Sequence, residues 1–245
     1  MSEAYNEFLI NQDQIFDKFR VATAEVGVTQ GIERDPGIDP QAAFLIAWRY
    51  PSRTTDLIDE FSGEIADALA SDGNPGALRY NAKNAHTTVS DYSLEKGLVI
   101  DPSRVDHEEV LDTLRQAVKR ALDEGGASHH SDLAVDFTGH LTNGKTVIAT
   151  GVPTETVWEI NQRVLSSSQD LGIDLKGSWG SHMTDSRFTD SHPADSSKVQ
   201  KLIQLIHETP AFGASQPESI DVGYFQTDPQ NGFVFTPSER FELGS

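Results

Sequence analysis

The chain has 245 residues, no cysteine, and 38 acidic against 19 basic residues, for a net charge of −19. The missing thiols exclude disulfides, thiolate metal sites and a cysteine nucleophile, and an acid excess of this size repels long nucleic acid, which needs many lysine and arginine contacts to phosphate. Hydrophobic content is low at 37%, but the apolar residues are patterned strongly enough for a substantial core.

Along the chain, Phe8, Ile15, Phe19 and Ala22 recur at helical spacing and predict an N-terminal helix over about residues 4–24. Gly27 to Pro40 reads as a loop, so residues 1–40 form a helical extension and 41–245 the main domain. The nearly all-apolar run Ala43-Phe44-Leu45-Ile46-Ala47-Trp48 has the pattern of a central strand covered on both faces, and Pro51 stops it. Ser52 or Thr54 is expected to cap a helix that buries Leu57, Ile58, Phe61, Ile65 and Leu69. One extended strand is expected from about Leu78 to Tyr92. After Pro102, Asp106-x-x-Glu109 resembles a capping box for a helix with Val110, Leu111, Leu114, Val118 and Leu122 inside, ended by Gly125-Gly126.

A hairpin turning at Asn143-Gly144 follows, then a helix beginning near Thr154 with Val157, Ile160, Val164 and Leu171 inside. A second extended stretch carries His182. The chain closes with a helix around Val199, Leu202, Ile203 and Ile206 and with two strands, Ser219 to Gln226 and Gly232 to Leu243. Each histidine strand follows a helix, in a rough duplication of about 96 residues. The order predicts an α+β fold: bilobal, with two pseudo-symmetric antiparallel-sheet lobes, flanking helices and a central cleft. No apolar run approaches a bilayer span and no basic-then-apolar leader opens the chain, so a cytoplasmic monomer without a membrane partner is expected.

Two stretches carry the chemistry. Asn84-Ala85-His86-Thr87-Thr88-Val89 and Ser181-His182-Met183-Thr184-Asp185-Ser186-Arg187 each place a histidine and a threonine two residues apart, hence on one face of a strand. The pattern is weak alone, since His129, His140 and His207 also match it. His207 lies on a helix, His129 in a Gly/Ser/His loop, and His140 runs into a hairpin that explains it without chemistry. A single pair is most often an ordinary half-buried strand face; the joint occurrence raises both. Two facing imidazoles can divide proton transfer on a phosphodiester, with threonine hydroxyls donating to its non-bridging oxygens and no metal needed. Arg187 has the wrong strand parity and joins the site only if the strand bends, bulges or ends there; otherwise it is a salt-bridging surface residue. Tyr92, Trp179 and Tyr224 are candidates to stack on a base. His129-His130 with Asp132 lacks preorganised ligand geometry, so no metal and no cofactor is expected.

These motifs resemble those of the two-histidine phosphoesterase superfamily, which includes the bacterial 2′-5′ RNA ligase-like proteins and cyclic phosphodiesterases. Arg79-Tyr80-x-x-x-Asn84-Ala85-His86-Thr87-Thr88-Val89 resembles the first motif and its approach, and Gly180 to Phe188 the second, with its arginine three residues after the threonine. The likeness covers roughly residues 42 to 243. The usual apolar residue after the second threonine is replaced by Asp185, and Asp91-Tyr92-Ser93 stands where Phe-Leu-Gly often follows the first motif. The resemblance implies a catalytic pair of His86 and His182, phosphate-holding Thr88 and Thr184, and a positioning role for Arg187. It implies a metal-independent phosphodiesterase acting on a 2′,3′-cyclic phosphate or 2′-5′ linkage of a small nucleotide or RNA end. The alternatives are a nucleotide- or RNA-end-binding module without turnover and a 2′-5′ RNA ligase.

Overall fold

The computed structural model describes residues 1–39, 41–71, 75–92, 105–125, 132–228 and 232–243. Two antiparallel five-stranded sheets form its two lobes. The nearly all-apolar run becomes β1 (Gln41–Arg49), central in the first sheet, flanked by β3 (Thr87–Tyr92) on one side and β9 (Ser219–Asp228) then β10 (Gly232–Glu242) on the other. In the second sheet β5 (Thr146–Pro153) lies between β7 (His182–Phe188) and β4 (Val135–Thr142), whose outer neighbour is β8 (Gly213–Ser215). No helix among the described residues is long and apolar enough to cross a membrane.

The lobes are interlocked. The stretch expected as one strand from Leu78 to Tyr92 is two, because Asn81 O accepts from the amides of Asn84 and Ala85 and turns the chain. Its first piece, β2 (Ala77–Arg79), pairs with β7 of the other lobe, and the short β6 (Lys176–Gly177), just ahead of β7, pairs with β3. The helices α2 (Ser52–Leu69) and α5 (Ser197–Glu208) bury Phe61, Ile65, Leu69, Val199, Leu202 and Ile206 with Val147 and Phe188 of the second sheet. The other pair, α3 (Val105–Gly125) and α4 (Glu155–Asp170), packs Leu114, Val118, Ile160 and Val164 into the core of the first. Each sheet therefore has one covered face, and the two motif strands meet between the sheets.

The cap expected at Ser52 or Thr54 does not form, whereas α4 begins at Thr154 as expected. Pro51 is the N-cap of α2, while the Thr54 hydroxyl bonds Ser215 Oγ at 2.6 Å; Thr154 caps α4 without a side-chain bond to its amides, its hydroxyl donating instead to Asp132 O at 2.7 Å. Tertiary partners outbid the local ones. The side chain of Asp106, and His129, His130 and Gly126, lie outside the described residues.

The N-terminal segment is integrated with the second lobe. Its helix α1 (Glu3–Glu25) runs beside the β4–β5 hairpin: the Tyr5 hydroxyl bonds Pro153 O, Gln12 Nε2 donates to Gly151 O at 3.1 Å, and Thr23 Oγ1 donates to Thr142 O at 3.0 Å while accepting from Thr142 N at 2.9 Å.

Candidate active site

Each motif is followed by the same irregularity. Ile46 pairs with Ser90 but Ala47 with Thr88, so Val89 is an extra residue in β3; Val147 pairs with Ser186 but Ile148 with Thr184, so Asp185 is the extra residue in β7. A bulge shifts side-chain parity by one. Val89 and Ser90 are consequently both buried, as are Asp185 and Ser186, and the residue five beyond each histidine returns to the cleft face. This answers the parity problem: Arg187 shares a cleft of about 450 Å³ with His86, Thr88, His182 and Thr184. In the first motif that position is Asp91, also at the cleft. The pseudo-twofold is thus broken by charge, with a cation on one side and an acid on the other.

The two imidazoles are held alike. His86 Nδ1 lies 2.6 Å from Asn84 O and His182 Nδ1 lies 3.2 Å from Gly180 O, each a carbonyl two residues earlier. A carbonyl only accepts, so Nδ1 carries the proton in both rings and Nε2 is left with its lone pair for the cleft. Asn84, which leads into the first motif, is itself fixed to β10: its amide donates to Phe233 O at 2.6 Å and its carbonyl accepts from Phe235 N at 3.2 Å. Each ring also has an aromatic wall. Phe233 stacks on His86 at 5.4 Å between centroids, and Trp179 on His182 at 4.3 Å, both with ring planes inclined by 19°.

Burial of the two rings dominates their proton affinity and lowers the pKa of both His86 and His182 to about 4; the bond to the backbone carbonyl pulls each back up, and the Arg187 charge pushes each further down. His86 additionally feels Arg49 and His182. Both imidazoles of the ligand-free protein are therefore uncharged near neutrality.

Arg187 is itself positioned. Its Nη1 pairs with Asp35 Oδ2 at 2.8 Å and its Nε donates to the Tyr80 hydroxyl at 2.9 Å, leaving Nη2 without a partner among the described residues. The Asp35-Pro36-Gly37 turn closes over the guanidinium so tightly that a Cβ at Gly37 would sit 2.2 Å from Nη1. Asp35 belongs to the segment read as an extension, and sequence reasoning missed it. The only signal was local: an aspartate before Pro36-Gly37, whose Oδ1 accepts from Gly37 N.

The expected stacking residues divide. Tyr224 does not line the cleft: on β9 the cleft face is carried by Phe225 and Thr227, and Tyr224, of opposite parity, lies partly buried against the core. Tyr92 ends β3 opposite Phe44, and its side chain lies outside the described residues. Trp179 reaches the cleft, but its ring is stacked on His182. The remaining aromatic lining is Tyr80, Phe225 and Phe233, stacked on one another at 5.1 and 5.2 Å. Asp185, the apolar-to-acid departure, points away from the cleft and meets His140, its Oδ2 2.9 Å from Nδ1, with both side chains almost wholly buried. His140 is therefore part of a buried polar pair beneath the second motif, and the hairpin alone does not account for it.

Neither a family model nor a curated protein sequence matches the chain. Among solved structures, TT0787 of Thermus thermophilus aligns with 82% of this chain and 97% of its own, at 16% identity and a TM-score of 0.50. The chain has the fold of TT0787. Structures of E. coli LigT complexed with 3′-AMP and of a phosphoesterase cover 84% and 83% of this chain and 100% and 99% of their own, at 16% and 15% identity and TM-scores of 0.44 each. The alignment over nearly all of TT0787 leaves a share of this chain unmatched, in keeping with a chain that carries additional segments.

Proposed function

We propose that the cleft hydrolyses a phosphodiester by two-histidine acid–base catalysis, acting on a 2′,3′-cyclic phosphate or a 2′-5′ linkage of a small nucleotide or RNA end. The observation that carries this reading is the pairing of two imidazoles, one from each lobe, each with Nδ1 tied to backbone and Nε2 left for the cleft, beside Thr88, Thr184 and Arg187. A bound phosphate is anionic, so it raises the proton affinity of both rings, while their mutual repulsion disfavours charging both. The complex then holds one imidazolium and one neutral imidazole. The neutral Nε2 takes a proton from water as the water oxygen bonds to phosphorus; the imidazolium gives its proton to the leaving ribose oxygen as that P–O bond breaks. The products are an opened phosphomonoester and two histidines with the proton exchanged between them.

Threonine hydroxyls and the open Nη2 of Arg187 suit the non-bridging oxygens, where charge accumulates. The stacked Tyr80, Phe233 and Phe225 offer a surface for a base, and an acidic exterior suits a small substrate better than a long polyanion. His86→Ala and His182→Ala are each expected to lower kcat by several orders of magnitude with little change in KM and no loss of folding. Near-full turnover in both variants excludes this mechanism.

A further inference from the structure

The two lobes wall their histidines differently. His86 is covered by Phe233 of β10, two strands beyond β1 in its own sheet. The corresponding edge of the second sheet is β8, a Gly-Ala-Ser strand with no ring to offer, and the position in the first motif that matches Trp179 is the exposed Lys83. The second lobe alone thus lacks the means to hold its wall. Trp179 is 37% exposed, and its own contacts come from α1: Phe16 meets it edge-on at 5.6 Å and Phe19 stacks on it at 6.1 Å.

A second tie comes from the same helix face. Gln12, 3% exposed and one turn before Phe16, accepts from Ser181 N at 2.7 Å while donating to Gly151 O. It packs so closely on Gly180 that a Cβ there would lie 2.9 Å from Gln12 Cγ. The Gly180 carbonyl is the one that fixes the His182 tautomer. We infer that α1 is a positioning element of the cleft, holding His182 through a Phe16/Phe19–Trp179 clamp on its ring face and through Gln12 on the peptide that sets its tautomer.

This rests on His182 being a working histidine, but it is tested without turnover. The charge acting on His182 is that of Arg187, the other titratable groups at the cleft are His86, Asp91 and Lys176, and none of these is altered by truncating the clamp. NMR titration of the full chain compares wild type with Phe16→Leu/Phe19→Leu, with Trp179→Leu, and with Gln12→Met, in case the double variant does not fold. The expected result is that the His182 titration moves up from about 4 toward the ordinary imidazole value as water reaches the ring, while His86 stays in place. In a turnover assay the same variants lower kcat by about tenfold at nearly unchanged KM. Unmoved His182 titration in the folded variants, or equal movement of both histidines, overturns the clamp. Absence of turnover in the wild type, with selective movement of His182, overturns the proposed reaction and leaves the clamp standing.

Discussion

Asp185 and His140 lend themselves to a quantitative test. The pair is 2.9 Å apart with side chains 0% and 1% exposed; His140 is packed between Phe61 at 4.4 Å and Phe212 at 4.6 Å, its Nε2 reaches Pro210 O only at 3.4 Å, and Asp185 Oδ1 has no partner among the described residues. Burial pushes the Asp185 carboxyl up and His140 pulls it back. Asp185→Val leaves a polar ring buried without its acceptor, which costs about 3 to 5 kcal/mol, or a Tm loss of roughly 10 °C for a chain of this size. Replacing both, as His140→Leu/Asp185→Val, restores at the bulge the valine that Val89 provides in the other lobe. Because the native pair leaves an oxygen unsatisfied, the double variant is expected within about 1 kcal/mol of wild type or above it. Urea denaturation of wild type, Asp185→Val, His140→Leu and the double variant closes the double-mutant cycle, with a coupling of about 2 kcal/mol or more. Additive losses refute the argument, since they mean the two side chains do not depend on each other.

Further expectations follow from the same structure. In the ligand-free protein both His86 and His182 titrate near pH 4 by NMR, and inorganic phosphate moves them upward; free-state values near 6.5 contradict the burial argument. Because both folded values lie below the unfolded one, the unfolded chain takes up protons between about pH 6.5 and 4 that the native state refuses, so stability is full above that window and falls through it, by less than about 3 kcal/mol per partly exposed ring. Asp35→Asn removes the charge that orients Arg187 and is expected to lower kcat/KM about tenfold, with partial recovery in Asp35→Glu; an unchanged kcat/KM in Asp35→Asn denies Asp35 that role.

Much of the fold was legible because it rests on local periodicity. The stripe of Leu111, Leu114 and Val118 and the Asn143-Gly144 hairpin each announce an element without reference to the rest of the chain. The two His-x-Thr stretches announced the site. What was not legible depends on partners distant in sequence. A bulge exists only relative to the strand opposite, so nothing in Thr184-Asp185-Ser186 alone says that Arg187 will turn back to the cleft. The parity of β9 is set by which face α3 and the core cover, which is why Phe225 and not Tyr224 faces the site. The contributions of Gln12 and Asp35 span 169 and 152 residues, and no window of the sequence contains both ends of either bond.

The most direct test of the account is product formation from the four nucleoside 2′,3′-cyclic monophosphates and a 2′-5′ dinucleotide, with and without EDTA, by the wild type and by His86→Ala/His182→Ala. The account predicts turnover that survives chelation and disappears in the double variant while its circular dichroism is retained. Turnover that persists in the folded double variant, or that requires a divalent ion, contradicts it.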